Sequence, residues 1–372
     1  MKIKPFKLER YFAKYEFSAP YLLSCSDCEP LTLKELLAMA DPASLKLWTE
    51  LSLGYTESPG HPLLRTEIAK LYTHISPTEI LTCVPEEGVF MAMHNILAKG
   101  DHIVTTFPGY QSLYEIAYSV GCTVSKWQPR CDKGWNFDLA DLKDLITKRT
   151  KLLVINFPHN PTGATLSKDQ LEDLIKIAKK NNIFIFSDEM YRGLEYEESQ
   201  QLASVSDLYE NGISLFGMSK TFALAGLRIG WLTTKNKKLF KTLAAFKDYT
   251  TICSSAPSEI LAIMALRAKD HIIKRNLSIM QINLNILGKF FQKYRDFFVW
   301  HKPKAGPITF PELKLKQNVA DFCLDLVQEK GVMLLPAKVY DYQGINFRIG
   351  FARQDMPAAL QKFEEYLKSR LG

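Results

Sequence analysis

The sequence predicts an α/β fold with a mainly parallel central sheet. Short, nearly continuous apolar runs rich in β-branched and aromatic residues lie in the middle of the chain. Such runs are typical of strands that a parallel sheet buries on both faces. Amphipathic helical patterns separate the runs, so the order strand–helix–strand recurs and crossover connections are expected. The predicted strands are 103–107, 152–157, 183–187, 213–216 and 229–234.

One of the intervening helices has recognisable signals at both ends. Ser167 and Gln170 have the spacing of a capping box, in which each side chain accepts a bond from the backbone N–H of the other residue. Asn181 and Asn182 end the helix before the next predicted strand. The apolar face of this helix is predicted to consist of Leu171, Leu174, Ile175 and Ala178.

The two ends of the chain show a different, mixed pattern that indicates α+β structure. Segments 332–335 and 346–351 are predicted strands, and a helix is predicted over 356–371. A length of 372 residues suits about two domains. We therefore predict a large domain over 46–284 and a small domain formed jointly by 1–45 and 285–372.

Composition excludes several classes of protein. The chain is 47% hydrophobic and 23% charged, as globular proteins are, and its net charge of +7 is too small for a typical nucleic-acid-binding domain. No run of about 18 apolar residues occurs, so no membrane-spanning helix is expected. The basic N-terminus leads into no apolar segment, which argues against a secretory signal.

The cysteines indicate a reducing environment. An odd number, seven, spread irregularly over this length does not form a disulfide scaffold, and we expect a cytoplasmic protein. Cys25 and Cys28 form a single CxxC pair with no second pair, so no metal site is predicted.

Polar motifs follow the predicted strands at the positions where α/β proteins place their chemistry. Each motif alone has an ordinary explanation, since carboxylates often cap helices, Asn-Pro-x-Gly often forms turns and lysines are usually solvated. The combination of all these motifs, in this order along the chain, indicates a functional site much more strongly than any one motif does. The motifs are 107–110, 156–163, 187–191, 219–230 and 346–349.

These motifs resemble those of the class I/II aminotransferases of fold type I, which use pyridoxal 5′-phosphate. The resemblance extends from about Leu53 to Ile349, and the segment 219–230 is its most specific part. Within the family, segments 154–163, 248–257 and 304–311 are similar to the branch that includes capreomycidine synthase. The resemblance implies a large domain around a mainly parallel sheet, with a smaller α+β domain built from both chain ends.

The resemblance also implies the catalytic residues. Lys220 would form a Schiff base with the cofactor aldehyde and later act as general base. Asp188 would keep the pyridine nitrogen protonated, while Tyr191 and Asn160 would donate hydrogen bonds to the phenolate oxygen of the ring. Arg348, with Asn160, would bind the α-carboxylate of the substrate.

Further residues are implied to hold the cofactor. Arg228, with Ser219 in support, would bind the phosphate, and Tyr110 would stack on the ring. The helix that begins near Glu86 and Glu87 would offer backbone N–H groups to the phosphate. In dimers of the family, a tyrosine matching Tyr55 reaches the phosphate of the neighbouring subunit, so the resemblance implies a homodimer with shared sites.

Two positions depart from the family pattern. A phosphate-binding Ser or Thr often stands three residues before the lysine, where this chain has Gly217. Glu86 and Glu87 occupy the phosphate loop, where a carboxylate turned inward would repel the dianion. We expect these side chains to point away, or one of them to meet an amino group of the substrate.

Three functions are compared. The first is transfer of an amino group between an α-amino acid and a 2-oxo acid. The second is a cyclase or β/γ-lyase that uses the same cofactor, and Lys220, Asp188 and Arg348 serve both reactions. The third, a ligand-sensing regulator, would need a DNA-binding domain, for which the segment before residue 20 leaves no room. The retained lysine favours an enzyme, with amino acids and 2-oxo acids rather than nucleic acid or membrane as partners.

Overall fold

The computed structural model describes residues 3–371, and its centre is a seven-stranded sheet. The spatial order of the strands is β1-β7-β6-β5-β4-β2-β3. Neighbours from β3 to β6 pair in parallel, whereas β7 runs antiparallel to both β1 and β6. The strands are β1 (Ile80–Cys83), β2 (His102–Thr106), β3 (Thr123–Trp127), β4 (Thr150–Asn156), β5 (Phe184–Asp188), β6 (Gly212–Gly217) and β7 (Gly230–Thr233).

This topology confirms the predicted α/β fold with a mainly parallel sheet. Every predicted central strand is present, with ends shifted by one or two residues. Strands β1 and β3 were not predicted. β3 lies at an edge and is only partly buried, so its residues lack the continuous apolar character of the central strands.

Helices cover both faces of the sheet and bury its apolar side chains. The capping box of the helix over 168–180 is present, since Ser167 Oγ accepts from Gln170 N at 3.1 Å and Gln170 Oε1 accepts from Ser167 N at 2.8 Å. The helices of the first two thirds of the chain are α1 (Lys7–Tyr15), α2 (Leu33–Met39), α3 (Pro42–Thr49), α4 (Pro62–Ala69), α5 (Pro85–Ile96), α6 (Ser112–Val120), α7 (Leu139–Leu145), α8 (Lys168–Lys180), α9 (Val205–Leu208), α10 (Lys237–Lys247) and α11 (Ala256–Arg267).

The C-terminal part has its own small sheets and its own apolar core. Strand β12 lies between β11 and β9 in one sheet, and β8 pairs with β10 in another. The long α12 runs across the predicted domain boundary at residue 284. The elements are α12 (Lys269–Lys293), β8 (Phe298–Val299), β9 (Ile308–Thr309), β10 (Glu312–Leu313), α13 (Val319–Lys330), β11 (Leu335–Pro336), β12 (Phe347–Gly350) and α14 (Met356–Leu371).

The N-terminal segment joins this C-terminal part through backbone hydrogen bonds. Met333 N donates to Tyr21 O at 2.9 Å, and Gly350 N donates to Leu23 O at 2.7 Å. Of the predicted strand over 332–335, the structure has an isolated bridge between Val332 and Tyr21 and the two-residue β11, which begins at Leu335. These bonds support a small domain made from both chain ends, whose exact limits at 1–45 and 285–372 stay a prediction.

The described residues offer neither a membrane-spanning helix nor a cluster of metal ligands. No helix within residues 3–371 is both long and apolar enough to cross a bilayer. The same residues contain no group of three or more His, Cys, Asp or Glu side chains arranged to hold a metal ion.

Candidate active site

A cavity of about 580 Å³ lies at the carboxyl ends of the central strands. Asn156 and Asp188 end β4 and β5 and are register partners there, and Lys220 follows β6 after a short turn. Parallel strands bring their carboxyl ends to one edge of the sheet, so the motifs converge although they are far apart in sequence. The predicted residues that line this cavity are Glu86, Tyr110, Asn160, Asp188, Tyr191, Ser219, Lys220, Arg228 and Arg348.

Lys220 supplies the only lysine amine among the described residues of the lining. Its Nζ donates to Ser26 Oγ at 2.8 Å. Burial lowers the pKa of Lys220, and the Asp27 carboxylate partly opposes that shift. A buried amine with a lowered pKa is more often neutral, which is the state that attacks an aldehyde or accepts a proton.

Asp188 is a buried carboxylate that forms no ion pair with a described side chain. Its Oδ1 accepts from Met190 N at 3.2 Å, and Asn156 Nδ2 donates to its backbone oxygen at 2.9 Å. Burial raises the pKa of Asp188 to about 6, although the bond from Met190 and the Lys220 charge oppose the shift. A carboxylate in this state is stabilised when a cationic N–H group binds next to it.

Arg348 is buried, with 1% of its surface exposed, and no described carboxylate neutralises it. Its Nη1 donates to Asn160 Oδ1 at 3.2 Å and to the Tyr340 hydroxyl at 2.6 Å. Its Nη2 donates to Ser24 O at 2.5 Å, while Nε has no hydrogen-bond partner among the described residues. Neutral acceptors leave the charge uncompensated, as a binding site for a carboxylate requires.

The aromatic residues of the site are held by the surrounding elements. Tyr110 donates its hydroxyl to Glu9 Oε1 of α1 at 2.9 Å, and its ring contacts Phe6 at 4.8 Å between centroids. Burial raises the pKa of both Tyr110 and Tyr191, so each phenol stays protonated and can donate a hydrogen bond.

Four contributing residues were missed as site residues by the sequence reasoning. Ser24 and Ser26 lie in an irregular N-terminal segment, and Tyr340 ends a short 3-10 helix (Ala337–Tyr340) between β11 and β12. They carry no local motif, because their roles arise from contacts across 180 or more positions of the chain. Asn156 belongs to the motif 156–163, and its position at the end of a predicted strand was the sequence signal that could have identified it as a site residue.

The implied cofactor, pyridoxal 5′-phosphate, fits the residues that are present. A lysine amine, an unpaired buried carboxylate and a buried arginine share one cavity whose volume is usual for cofactor sites. Ser219 Oγ is buried with no hydrogen-bond partner among the described residues, which is the state expected of a group that awaits a polar ligand.

Comparison with known proteins agrees with this geometry. The sequence profile of the family described as aminotransferase class I and II matches residues 36–363. The chain belongs to this family. A PLP-dependent aminotransferase from Streptococcus suis 89-1591 has a similar structure, with a TM-score of 0.93 and 32% identity over 99% of both chains.

Three further proteins similar to this aminotransferase-family enzyme include a PLP-dependent cyclase as well as an aminotransferase. Capreomycidine synthase of Streptomyces vinaceus is 27% identical over 97% of this chain and 93% of its own length. An aspartate aminotransferase of Sulfolobus acidocaldarius is 28% identical over 84% and 82%. The structure of the PLP-dependent cyclase OrfR has a TM-score of 0.90 at 25% identity, covering 100% of this chain and 98% of that one.

These findings confirm four predictions. The resemblance to the family and to the branch of capreomycidine synthase is confirmed, as is the fold. The chain is an enzyme of the transaminase family, and its cofactor is pyridoxal 5′-phosphate.

Position 217 departs from the family pattern, and the close approach of β6 and β7 in this aminotransferase-family enzyme gives a steric reason. Gly217 lies opposite Gly230 in the β6–β7 pair, and a Cβ at position 217 would lie 2.8 Å from the Cα of Gly230. A serine or threonine therefore does not fit unless the strands separate. Arg228 has a left-handed backbone (φ 51°), and its Nη1 donates to Ala225 O at 3.1 Å.

The two glutamates at the start of α5 turn in different directions. Glu86 lines the cavity and accepts from Ser112 Oγ at 3.2 Å. Burial raises its pKa to about 7, so near neutral pH a large share of this carboxyl group is uncharged. Glu87 turns away, accepting from Val84 N at 3.1 Å and from Thr251 Oγ1 at 2.8 Å, and it is absent from the cavity lining.

Tyr55 is the other predicted cofactor residue that the structure does not bring to this cavity. It lies on the loop after α3, and 91% of its side-chain surface is exposed. It borders a separate shallow depression together with residues of α11. It is absent from the cavity lining, and its predicted role concerns a neighbouring subunit.

Proposed function

We propose that the enzyme transfers an amino group between an α-amino acid and a 2-oxo acid. The observation that carries this proposal is that Lys220, Asp188 and Arg348 line one cavity, each without the partner that would neutralise it in a purely structural role. The three groups suit an aldehyde, a pyridine nitrogen and a carboxylate respectively.

Lys220 carries the proton in the proposed reaction. When bound, the cofactor supplies an electron-accepting ring that stabilises negative charge at the substrate Cα. Lys220 Nζ would hold the cofactor through its aldehyde and, once free, would accept the proton from the substrate Cα. Its lowered pKa increases the neutral fraction that can do so.

Arg348 and Asp188 position the reactants. Arg348 would hold the α-carboxylate in a bidentate pair, with Asn160 and Tyr340 fixing the guanidinium in place. Such a clamp orients the Cα–H bond towards the lysine amine. Asp188 would hold a proton on the ring nitrogen, which relieves the cost of its own burial.

We also propose that the enzyme works as a cytoplasmic homodimer. The exposed side chains of Leu53 and Tyr55, 82% and 91% accessible, would be covered by a second copy, so that Tyr55 reaches its phosphate. All seven cysteines are free, which suits a reducing compartment. Sedimentation equilibrium tests the dimer, and a monomer at micromolar concentration would contradict it.

A PLP-dependent cyclase or β/γ-lyase is the second candidate. The similarity to capreomycidine synthase along 97% of this chain, and to the cyclase OrfR, favours it. The same Lys220, Asp188 and Arg348 would serve, because cleavage of the Cα–H bond begins both reactions.

A reaction without an amino acceptor tests the proposal. The purified holoenzyme is mixed with an excess of one amino acid, and the products are quantified per active site. Transamination gives one equivalent of 2-oxo acid and then stops until a second 2-oxo acid is added. Continuous release of ammonia, or a cyclised product, would support the second candidate instead. Consumption of no amino acid would contradict both.

A further inference from the structure

The start of α5 offers backbone N–H groups to the cavity. Glu86 and Glu87 lie in the first turn of this helix, after Pro85. Their two backbone N–H groups donate to no described residue, because the first turn of a helix has no acceptors of its own for them. Free N–H groups and the helix dipole together favour an anion at this position.

Two further groups of the cavity lining are available to the same anion. Ser219 is 6% exposed, and its hydroxyl oxygen has no hydrogen-bond partner among the described residues. Arg228 forms no ion pair with a described carboxylate, and its Nη1 donates to the neutral backbone oxygen of Ala225. The cofactor phosphate is therefore expected between α5, Ser219 and Arg228.

The side chain of Glu86 lines this part of the cavity with one free oxygen atom. Glu86 Oε2 accepts from Ser112 Oγ at 3.2 Å, whereas Oε1 accepts from no described residue. No described cation lies within ion-pair distance of Glu86. Its carboxyl group is therefore neither neutralised nor fully hydrogen-bonded by the protein itself.

The groups around Glu86 favour the protonated form of its carboxyl group. Burial raises the pKa of Glu86 to about 7, and the bond from Ser112 opposes this shift. The carboxylates of Glu9 on α1 and Asp188 on β5 raise the pKa as well, while Arg228 lowers it. The hydroxyl of Tyr110, also near Glu86, stays neutral because burial raises its own pKa. 

A phosphate group strengthens the case for a protonated Glu86. A phosphate monoester is mostly a dianion near neutral pH, and an ionised carboxylate beside it would be repelled. A protonated carboxyl group instead has an O–H that can donate a charge-assisted hydrogen bond to a phosphate oxygen. Such a donor is missing at Gly217, because a side chain there would meet Gly230.

We propose that the protonated carboxyl group of Glu86 donates a hydrogen bond to the cofactor phosphate, in place of the donor that Gly217 lacks. Loss of this proton to solvent at higher pH then weakens the binding of the phosphate. The proposal goes beyond the proposed reaction, since a transaminase and a cyclase would hold the same cofactor. It rests on the phosphate lying between α5, Ser219 and Arg228.

Phosphorus-31 NMR of the holoenzyme observes the phosphate directly and needs no turnover. In the parent enzyme, the chemical shift of the bound phosphate should titrate above about pH 7, as Glu86 loses its proton. Glu86→Gln should lack this transition, because an amide donates a hydrogen bond but does not ionise. A parent shift that is constant from about pH 6 to about pH 9 would overturn the proposal. A transition that persists in Glu86→Gln would overturn it as well.

Two more variants assign the transition. Ser112→Ala removes a bond that favours the charged carboxylate, so the transition should move to higher pH. Glu195→Gln is the matched control, because Glu195 is also buried and burial raises its pKa to about 7, but it is absent from the cavity lining. It should keep the parent titration. Loss of the transition in Glu195→Gln would contradict the assignment to Glu86.

Retention of the cofactor measures the consequence for binding. The enzyme is loaded with pyridoxamine 5′-phosphate, which forms no covalent link to Lys220, and release of this cofactor after dilution is followed by fluorescence. Release from the parent should be about tenfold faster at about pH 9 than at about pH 7. Release from Glu86→Gln should change less than about twofold. The same pH dependence in both enzymes would refute the role of Glu86.

Failure of this proposal and failure of the proposed function give different results. A phosphate signal without the transition, in an enzyme that consumes amino acids, overturns only the role of Glu86. The expected transition in an enzyme that consumes no amino acid supports the role of Glu86 and contradicts only the proposed reaction.

Discussion

At the scale of single residues, the proposed chemistry depends on a lysine amine that is buried among polar groups. Ser26 Oγ fixes Lys220 Nζ at 2.8 Å, and burial lowers the pKa of the amine. The motif around position 220 predicts neither this hydrogen bond nor the lowered pKa. The hydrogen bond is made by the N-terminal segment, which contributes Ser26 to the cavity lining.

Replacing this lysine gives the first prediction. Lys220→Ala should lose the visible absorbance that arises from the covalent link between enzyme and cofactor, because alanine has no amine. Turnover should fall by about three orders of magnitude or more, since the proton carrier is also removed. Absorbance spectra of the purified variant, before and after addition of cofactor, measure this. An unchanged visible spectrum would show that the assignment of the lysine is wrong.

The pKa of Glu86 gives a prediction about pH. Burial raises this pKa from its ordinary value of 4.5 to about 7, so the folded protein holds the proton more tightly than the unfolded chain does. The contribution of Glu86 to the free energy of unfolding therefore falls as pH rises from 4.5 to about 7. Glu86→Gln should gain stability relative to the parent enzyme over that window, by up to about 3 kcal/mol.

Urea unfolding at about pH 5 and about pH 8 measures the effect of Glu86. Ser112→Ala serves as a second variant. It removes the hydroxyl that donates to Glu86 Oε2 and favours the charged carboxylate, so the loss of stability should move to higher pH. A stability difference between Glu86→Gln and the parent that does not change with pH would contradict the prediction.

At the scale of elements, strands β6 and β7 approach each other closely just before the lysine. Gly217 and Gly230 are register partners, and a Cβ on either one would meet backbone atoms of the other strand at 2.8 Å or less. This contact fixes the start of the turn that carries Ser219 and Lys220. The close approach of the two strands therefore favours glycine at position 217.

Gly217→Ala tests this coupling. The added methyl group must push β6 and β7 apart, and we expect the free energy of unfolding to fall by about 1–3 kcal/mol, with weaker cofactor binding. Gly226→Ala is the control, because a Cβ at that position would meet no atom within 4 Å. Urea unfolding and cofactor titration measure both effects. Equal stability of the two variants would contradict the proposed close approach.

At the scale of the whole molecule, the two chain ends meet over the active site. Strand β12 carries Arg348, and the segment that bonds to it carries Ser24, which accepts from Arg348, and Ser26, which accepts from Lys220. Arg348 and Lys220 are therefore joined through one N-terminal segment. A disturbance of that segment should affect both stability and binding of the amino acid.

Gly350→Ala tests this arrangement. A Cβ at position 350 would lie 1.7 Å from Cys25 O, so the N-terminal segment must move away from β12. We expect the free energy of unfolding to fall by about 2–4 kcal/mol and the KM for the amino acid to rise. Thermal unfolding and steady-state kinetics measure these changes, again with Gly226→Ala as control. Parent-like values of both quantities would refute the expectation.

The central fold was predictable because local sequence and tertiary environment agree there. Strands β4 and β5 are buried on both faces and flanked by helices, so their sequences are continuous apolar runs that end at polar motifs. The edge strand β3 lacks this pattern, and the short β1 was also missed. The order of the motifs identified the family, and with it the residues proposed for the cofactor.

Sequence by itself therefore determined the fold class, the family and the residue types that carry the chemistry. Only the tertiary structure decided which of two adjacent glutamates faces the cavity, because successive helical residues point about 100° apart and packing against α6 selects Glu86. Likewise, only the tertiary structure brought Glu9, Glu16 and Asp27 to the site. Contacts between distant segments leave no local signal in the sequence, since they depend on where the folded chain returns.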